Sequence, residues 1–274
     1  MNTPHFGTPL ATFFATSRGQ QALNALSAFT VIALALGEGP LSLVSTLIRI
    51  FGKGDRALGI EVPLFDQSIA SLLGLVDEAR GVELRAYLKA IAGDQGAVIQ
   101  LSPEAMDLVA AGFADRPGVR YRCTVAMSPA PTLGNWARMT GHPLRASSLA
   151  LFTALHHITA QVDRRYPCTP AQAAPGSQQA AVAEAVDQEL ARVFASVPTA
   201  KANDGIVPIR SQLWGELAWA GYGDHLDVLG HYRDVTPEPD PKLQHHDWLT
   251  SGSKFDDAQF SALMDAIASG ILAS

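Results

Sequence analysis

With 274 residues, of which 47% are hydrophobic, the chain is long enough to bury a substantial core in one large domain or two small ones. Its 26 acidic and 20 basic residues give a formal charge of −6, and no run of Lys or Arg occurs, which argues against nucleic acid as a partner. The two cysteines, Cys123 and Cys168, lack the close spacing of a metal or redox motif, so a single disulfide and two free thiols both stay open.

The N-terminal half contains an apolar stretch, but it is short. Residues Ala25 to Leu36 carry no charge and are too few to cross a bilayer, so we expect no transmembrane segment. A buried helix is the favoured interpretation and a lipid-facing helix the alternative. Met1 leads directly into a stretch of turn-forming residues without the pattern of a secretory signal, and the location of the protein is left open.

The first 115 residues predict helices separated by glycine-rich breaks. A loop punctuated by proline and glycine leads into a short helix before Gly19, and Ala- and Leu-rich helical segments follow from Gln20 to about Asp115. Ser102 stands before Pro103 at a helix start, which is the pattern of an N-cap followed by proline at the first helical position.

The second half alternates strands and helices. Val119–Met127 and Trp214–Tyr222 are rich in residues that favour strands. Between them, a low-complexity patch at Thr169–Ala181 precedes an apolar helix that contains Val182 and Leu190. A closing helix is predicted at Asp257–Leu272, and the alternation of strands with helices indicates an α/β fold.

Asp204 and His225 form a candidate acid–base pair. Asp204 lies in an Asn-Asp-Gly turn, which is ordinary as local sequence, and His225 follows the second predicted strand 21 positions later. A base for acyl transfer needs an imidazole that a carboxylate orients through one ring nitrogen while the other nitrogen faces a hydroxyl. These two residues could supply that arrangement.

Four segments resemble parts of a known family in the same order along the chain. Asn2–Phe14 reads NTPHFGTPLATFF, Gly118–Ser128 reads GVRYRCTVAMS, Ala202–Gly215 reads ANDGIVPIRSQLWG and Gly223–His231 reads GDHLDVLGH. They resemble, respectively, the loop after the nucleophile helix, the strand before the acid, the acid loop and the histidine loop of bacterial lipases and esterases in the α/β-hydrolase family. The resemblance covers nearly the whole chain.

This resemblance implies a fold and a division into parts. The fold would be the C-terminal portion of an α/β-hydrolase, with an incomplete, mainly parallel sheet, flanking helices and a helical cap or lid. Residues 1–19 would begin the hydrolase core, 20–117 would form the cap, and 118–274 would complete the core with the acid and histidine loops. The apolar cap would contact a lipid interface.

The resemblance also implies catalytic roles. Asp204 would orient and stabilise the imidazolium, and His225 would deprotonate the nucleophile and then protonate the leaving alkoxide. The substrate would be a carboxylic ester, such as an acylglycerol or a related lipid ester, and no cofactor is implied. Whether the parent enzyme is a lipase or an esterase, and whether it is secreted, stays open.

The chain departs from the family pattern at the nucleophile. These enzymes carry their serine in a GxSxG elbow, and no five-residue window of this sequence has that form. We therefore expect a chain that lacks the N-terminal part of its parent enzyme, with Met1 as an internal start, and that is inactive towards esters alone. The alternative is a non-catalytic helical binding protein for an apolar ligand or partner.

The metal-binding alternatives are weaker. Asp227 matches a position that binds calcium in some related lipases, but His231 stands where those enzymes continue with an oxygen ligand, which argues against the site. His245, His246 and Asp247, with His231, could build a zinc site, although contiguous histidines point apart and no supporting motif is present. His156 and His157 are interpreted as boundary or buried side chains of an apolar helix.

Overall fold

The computed structural model describes residues 1–23, 26–27, 82, 86, 89–90, 96–132, 134, 143–232, 247 and 249–272. Most of the predicted cap, most of the run Ala25–Leu36 and the whole pair His245–His246 lie outside these residues. In the described part, no helix is both long enough and apolar enough to cross a membrane.

Three short helices in the N-terminal part of the described chain pack together. Helix α1 spans Pro9–Phe14, α2 spans Gly96–Gln100 and α3 spans Pro103–Gly112, and both α2 and α3 contact α1. The side chain of Ser102 accepts a hydrogen bond from the amide of Ala105, as the predicted N-cap requires. Proline at the first helical position costs no hydrogen bond, because that amide has no partner within a helix.

Two parallel strands form the sheet in the described residues. Strand β1 spans Arg122–Met127 and strand β2 spans Glu216–Tyr222, with Met127 paired to Tyr222 at their carboxyl ends. The chain is therefore of mixed α/β class, as predicted. Both strands end where the sequence placed their ends.

Both strands begin later than the predicted starts at Val119 and Trp214. Gly215 has a positive φ of +73°, so the chain turns there, inside the predicted strand, before β2 begins. Gly118, with a φ of +79°, lies before the predicted start at Val119 and does not account for the later start of β1. At Gly215 a Cβ atom would lie 2.2 Å from the carbonyl oxygen of Tyr121, so only glycine allows this close approach. Strand propensity alone does not register such turns.

Helices cover both faces of this sheet. Helix α4 spans Pro143–Thr159, α5 spans Gln178–Phe194 and α6 spans Asp257–Leu272, the last as predicted. Alternate residues of a strand point to opposite faces, and here Cys123 and Val125 pack in the cluster of α5, while Ala126 packs in the cluster of α6. A third cluster joins α1 and α4 through Leu10, Phe14, Leu149, Phe152 and Leu155.

Candidate active site

The acid loop, which follows α5, and the histidine loop, which follows β2, meet at the carboxyl ends of the two parallel strands, the edge where α/β folds usually place their sites. At the end of β1, the amide of Ser128 donates to the carbonyl of Asn203 at 3.1 Å. At the end of β2, the amide of Gly223 donates to the carbonyl of Met127 at 3.1 Å, and the amide of His225 donates to the carbonyl of Asp204 at 2.9 Å. The acid loop and the histidine loop are thus joined through their backbones.

Hydrogen bonds from backbone amides of the acid loop to its own side chains fix the conformation of the loop. The Oδ1 atom of Asp204 accepts from the amides of Ile206 at 2.9 Å and Val207 at 2.7 Å, and Oδ1 of Asn203 accepts from the amide of Gly205 at 2.8 Å. These are the short-range contacts that Asn and Asp make in turns. Gly205 supplies the positive φ of +94° that the turn needs.

Asp204 and His225 lie together, as the proposed acid and base require. The Nδ1 atom of His225 is 2.8 Å from Oδ2 of Asp204. The Asp204 side chain is fully buried, whereas 20% of the His225 side chain is exposed. A buried acid that fixes one ring nitrogen of a partly exposed imidazole is the arrangement in which the other ring nitrogen is left for a reacting group.

The electrostatics of the pair favour a protonated imidazole. Burial lowers the pKa of His225, but the charge of Asp204 and the hydrogen bond to it outweigh burial, so the net pKa lies above its ordinary value. With its proton on Nδ1, the neutral ring has a lone pair on Nε2 and can act as a general base. Across the described residues, no hydrogen-bond partner occupies Nε2.

Sequence reasoning missed Asn2, which also contacts the acid. Its Nδ2 atom donates to Oδ2 of Asp204 at 3.2 Å, so the carboxylate has four hydrogen-bond partners, two of them side chains. Asn2 is 1% exposed and has a φ of 49°, a left-handed conformation that asparagine tolerates better than most residues. No local sequence signal connects residues that lie 202 positions apart.

Further hydrogen bonds join the rest of the N-terminal segment to the acid loop. The hydroxyl of Thr8 donates to the carbonyl of Ile206 at 2.5 Å, and the hydroxyl of Ser211 donates to the carbonyl of Gly7 at 2.7 Å. The Ser211 hydroxyl also accepts a hydrogen bond from the amide of Phe6, so it binds two backbone groups of the N-terminal segment. The segment that resembles the loop after a nucleophile helix thus lies directly against the acid loop.

Gln212 connects the acid loop to the sheet. Its side chain is fully buried, accepts from the amide of Ala126 at 2.9 Å and donates to the carbonyls of Ala126 and Val207. One residue therefore fixes the distance between the end of β1 and the turn that holds Asp204.

The described residues do not supply an aligned nucleophile. The buried hydroxyl at the end of β1, that of Ser128, donates to the carbonyl of Asn203 at 3.0 Å, and the hydroxyl of Ser211 is occupied as above. A cavity of about 410 Å³ is lined by Asn2, Thr124, Gln212 and Ile267 among others, but not by Asp204 or His225. This cavity is therefore not a space in which a substrate would meet His225.

Other histidines and the cysteines have separate roles in packing. His156 lies in α4, half-buried, and burial lowers its pKa, while its carbonyl accepts from the side chain of Asn203. Its neighbour His157 is exposed. Cys123 and Cys168 are both buried and free, so the two-thiol alternative is the one that the structure has.

Asp227 belongs to a group of three acidic side chains. Its carboxylate and those of Asp224 and Asp247 place one oxygen atom each within 4.8 Å of one another. His231, which stands where the family resemblance implies a further calcium ligand, is exposed. The donor set around Asp227 is therefore not the one that the resemblance implies, but it consists entirely of the oxygen atoms that calcium prefers.

Comparison of the chain with protein-family models, with curated proteins and with solved structures finds no significant match.

Proposed function

We propose that this chain carries the acid and the base of a carboxylic-ester hydrolase of the lipase and esterase type in the α/β-hydrolase family. The observation that supports it is the 2.8 Å contact between Nδ1 of His225 and the fully buried carboxylate of Asp204. The pair lies at the carboxyl ends of parallel strands, on loops that follow one another in the order acid, then histidine. That is the order in which the family carries these residues after its nucleophile.

The reaction follows from the two ring nitrogens of His225. Nε2 removes the proton of a serine hydroxyl as its oxygen attacks the ester carbonyl, and the same proton then passes to the departing alkoxide. In the second half, Nε2 removes a proton from water, which attacks the acyl-enzyme, and returns it to the serine. Asp204 stays ionised throughout and stabilises the imidazolium through the Nδ1–H bond.

This sequence has no GxSxG segment, which is the elbow in which the family carries its serine, so the proposal assigns the acid and the base and leaves the nucleophile unassigned. Among the described residues the base has no aligned hydroxyl, and we propose that the chain does not turn over lipid esters by itself. The substrate class, acylglycerols or related lipid esters, rests on the resemblance of the four segments.

An activated ester tests the proposal on the chain as it stands. An exposed imidazole lone pair attacks p-nitrophenyl acetate directly, releasing p-nitrophenolate and leaving an acetylimidazole that water hydrolyses. We expect His225→Ala to lower the release rate about tenfold, less than the ~10²–10⁴-fold contribution of a general base with an aligned nucleophile. The matched control is His157→Ala, which removes an exposed histidine from α4 and should leave the rate unchanged.

Two outcomes contradict parts of this proposal. If His225→Ala cleaves p-nitrophenyl acetate as fast as the unaltered chain, His225 is not a base with an accessible lone pair, and the esterase assignment fails. If the chain hydrolyses a triacylglycerol at enzymatic rates and a fluorophosphonate labels one of its serines, the nucleophile is within the chain, and the assignment of inactivity is wrong.

A further inference from the structure

Strand β1 has an edge whose backbone groups β2 does not use. Successive residues of a strand direct their amide and carbonyl groups to opposite sides of the strand. The carbonyl of Tyr121 accepts a hydrogen bond from the amide of Glu216, the first residue of β2. The carbonyl of Met127 accepts from the amide of Gly223, directly after β2. The odd-numbered residues of β1 therefore face β2, and the even-numbered residues, Thr124 among them, face the opposite edge.

A side-chain amide already occupies one position on this edge. The backbone amide of Ala126 donates to Oε1 of Gln212 at 2.9 Å, and the carbonyl of Ala126 accepts from Nε2 of the same side chain at 3.2 Å. One planar amide thus binds both backbone groups of one residue. Thr124, two residues earlier, presents the same two groups to the same edge, and no described residue forms a hydrogen bond with them there.

The cavity of about 410 Å³ lies along this vacant part of the edge. Its lining includes Arg122, Thr124 and Gln212, and Ile267 with its neighbours in α6 forms an apolar wall. Two of the residues that line it, Asn2 and Thr124, each have a buried side-chain oxygen without a hydrogen-bond partner, Oδ1 and Oγ1 respectively. Buried oxygens without partners are costly, so this cavity favours a ligand that brings hydrogen-bonding groups as well as an apolar part.

Arg122 brings a positive charge to the cavity. Its Nε atom donates to Glu216 at 3.3 Å, whereas its two terminal nitrogens donate to none of the described residues. Arg120 binds the same carboxylate of Glu216, so two guanidinium groups share one negative charge and the group stays positive. Gly270 leaves room for the guanidinium of Arg122, because a Cβ atom at this position would lie 2.5 Å from Nη1. A guanidinium with unused donors is a good partner for a carboxylate.

We propose that this cavity binds an N-acylated amino acid with an apolar side chain. The amide of the ligand pairs with the backbone of Thr124, as the side-chain amide of Gln212 pairs with Ala126. Its carboxylate binds Arg122, whose α-carbon is about 6.6 Å from that of Thr124 along the strand, a distance that the long arginine side chain spans. Its apolar side chain packs against Ile267. This inference goes beyond the proposed esterase activity and does not depend on it.

Binding of N-acetyl-L-leucine to the unaltered chain tests the site without any enzymatic assay. A ligand of about twelve non-hydrogen atoms should bind with a Kd on the order of 10⁻³ M, which NMR titration of the ¹⁵N-labelled chain measures. We expect the amide signal of Thr124 to shift with the ligand. Its exchange with solvent, which is fast while the edge is vacant, should slow about tenfold at saturation. The amide of Val125 faces β2 and is the reference that should not change.

Two analogues separate the contributions of the ligand groups on the same unaltered chain. The first, 4-methylpentanoate, keeps the carboxylate and the branched apolar group but lacks the amide. The second, N-acetyl-L-leucinamide, keeps the acylated nitrogen but lacks the negative charge. We expect each analogue to bind about tenfold more weakly or worse than N-acetyl-L-leucine, because each loses hydrogen bonds that the site provides. An equal Kd for N-acetyl-L-leucine and either analogue overturns the proposal.

A pair of matched variants tests the role of the cation. Arg122→Gln removes the guanidinium and should raise the Kd for N-acetyl-L-leucine about tenfold, whereas Arg192→Gln, at an exposed arginine of α5, should leave it unchanged. If about 20 mM N-acetyl-L-leucine shifts no amide signal of the unaltered chain, the cavity holds water only. If the Thr124 amide is already protected from exchange without ligand, another part of the chain covers the edge. Either result overturns the proposal.

Discussion

Replacing Asp204 is the sharpest test of how the site is held together. In Asp204→Ala, two backbone amides, the side-chain amide of Asn2 and the ring of His225 lose a partner in one step, and the carboxylate that they share is fully buried. A buried donor left unpaired costs about 1–3 kcal/mol, and breaking a buried ion pair from one side costs about 3–5 kcal/mol. Allowing for water that enters the vacated space, we expect Asp204→Ala to lose about 4 kcal/mol of unfolding free energy.

Asp204→Asn separates the chemistry from the stability. Its carbonyl oxygen can keep the amides of Ile206 and Val207, so the loss of stability should be about 1–2 kcal/mol. Its amide group, however, donates towards Nδ1 of His225 and moves the ring proton to Nε2, which removes the lone pair from the outward face. We expect release of p-nitrophenolate to fall to the level of His225→Ala.

The measurements are urea unfolding followed by circular dichroism, and the ester assay under native conditions. Asp163→Asn, at an exposed aspartate paired with Arg165, is the control and should change the unfolding free energy by less than about 0.5 kcal/mol. An unfolding free energy for Asp204→Ala within about 1 kcal/mol of the parent refutes the reasoning, because the four hydrogen bonds to this buried carboxylate then contribute almost nothing. Full ester cleavage by Asp204→Asn refutes the role assigned to the acid.

Three further changes probe the surroundings. Gln212→Leu removes three buried hydrogen bonds and should cost about 3 kcal/mol in urea unfolding, whereas the exposed Gln188→Leu should cost almost nothing; equal losses would contradict this. Gly205→Ala places a residue with a side chain at a φ of +94° and brings its Cβ to 3.0 Å from a ring carbon of Phe152, so the Tm should fall by an amount equivalent to about 1–3 kcal/mol. An unchanged Tm would show that this substitution does not strain the turn. Cys123 and Cys168 are buried, and burial raises the pKa of Cys168 to about 12, so Ellman's reagent should titrate both thiols only after unfolding; rapid native labelling would contradict their burial.

Local signals predicted the helices well because caps and periodicity act over a few residues. Ser102 before Pro103 predicted the start of α3, and the apolar spacing of Asp257–Leu272 gave the closing helix with the observed bounds. Strand ends were also predicted, but strand starts were not. Gly215 turns the chain through a positive φ and a close approach to Tyr121 that composition does not reveal.

The candidate site could be predicted only in part. Residues in loops whose order is typical of a family were predicted, whereas residues that contact the site only through the tertiary fold were missed. Asp204 and His225 were paired because their loops come in an order typical of a family, and the structure brings their side chains to 2.8 Å. Asn2 and Gln212 were missed, since their bonds to the acid loop and the sheet are tertiary contacts with no short motif. Their roles in an ester hydrolase stay predictions until the variants are measured.

The connection of the N-terminal segment to the acid loop explains why these two distant pieces must fold together. The turn at Asp204 is complete only when Asn2 donates to the carboxylate and Thr8 donates to the carbonyl of Ile206, and the same loop receives His225 from the end of β2. A base is effective when its ring is oriented before substrate arrives, because the enzyme then loses no free energy in arranging it. Three segments of the chain therefore meet to hold a single imidazole in one orientation, and a change in any of them should reduce reactivity at Nε2 as well as stability.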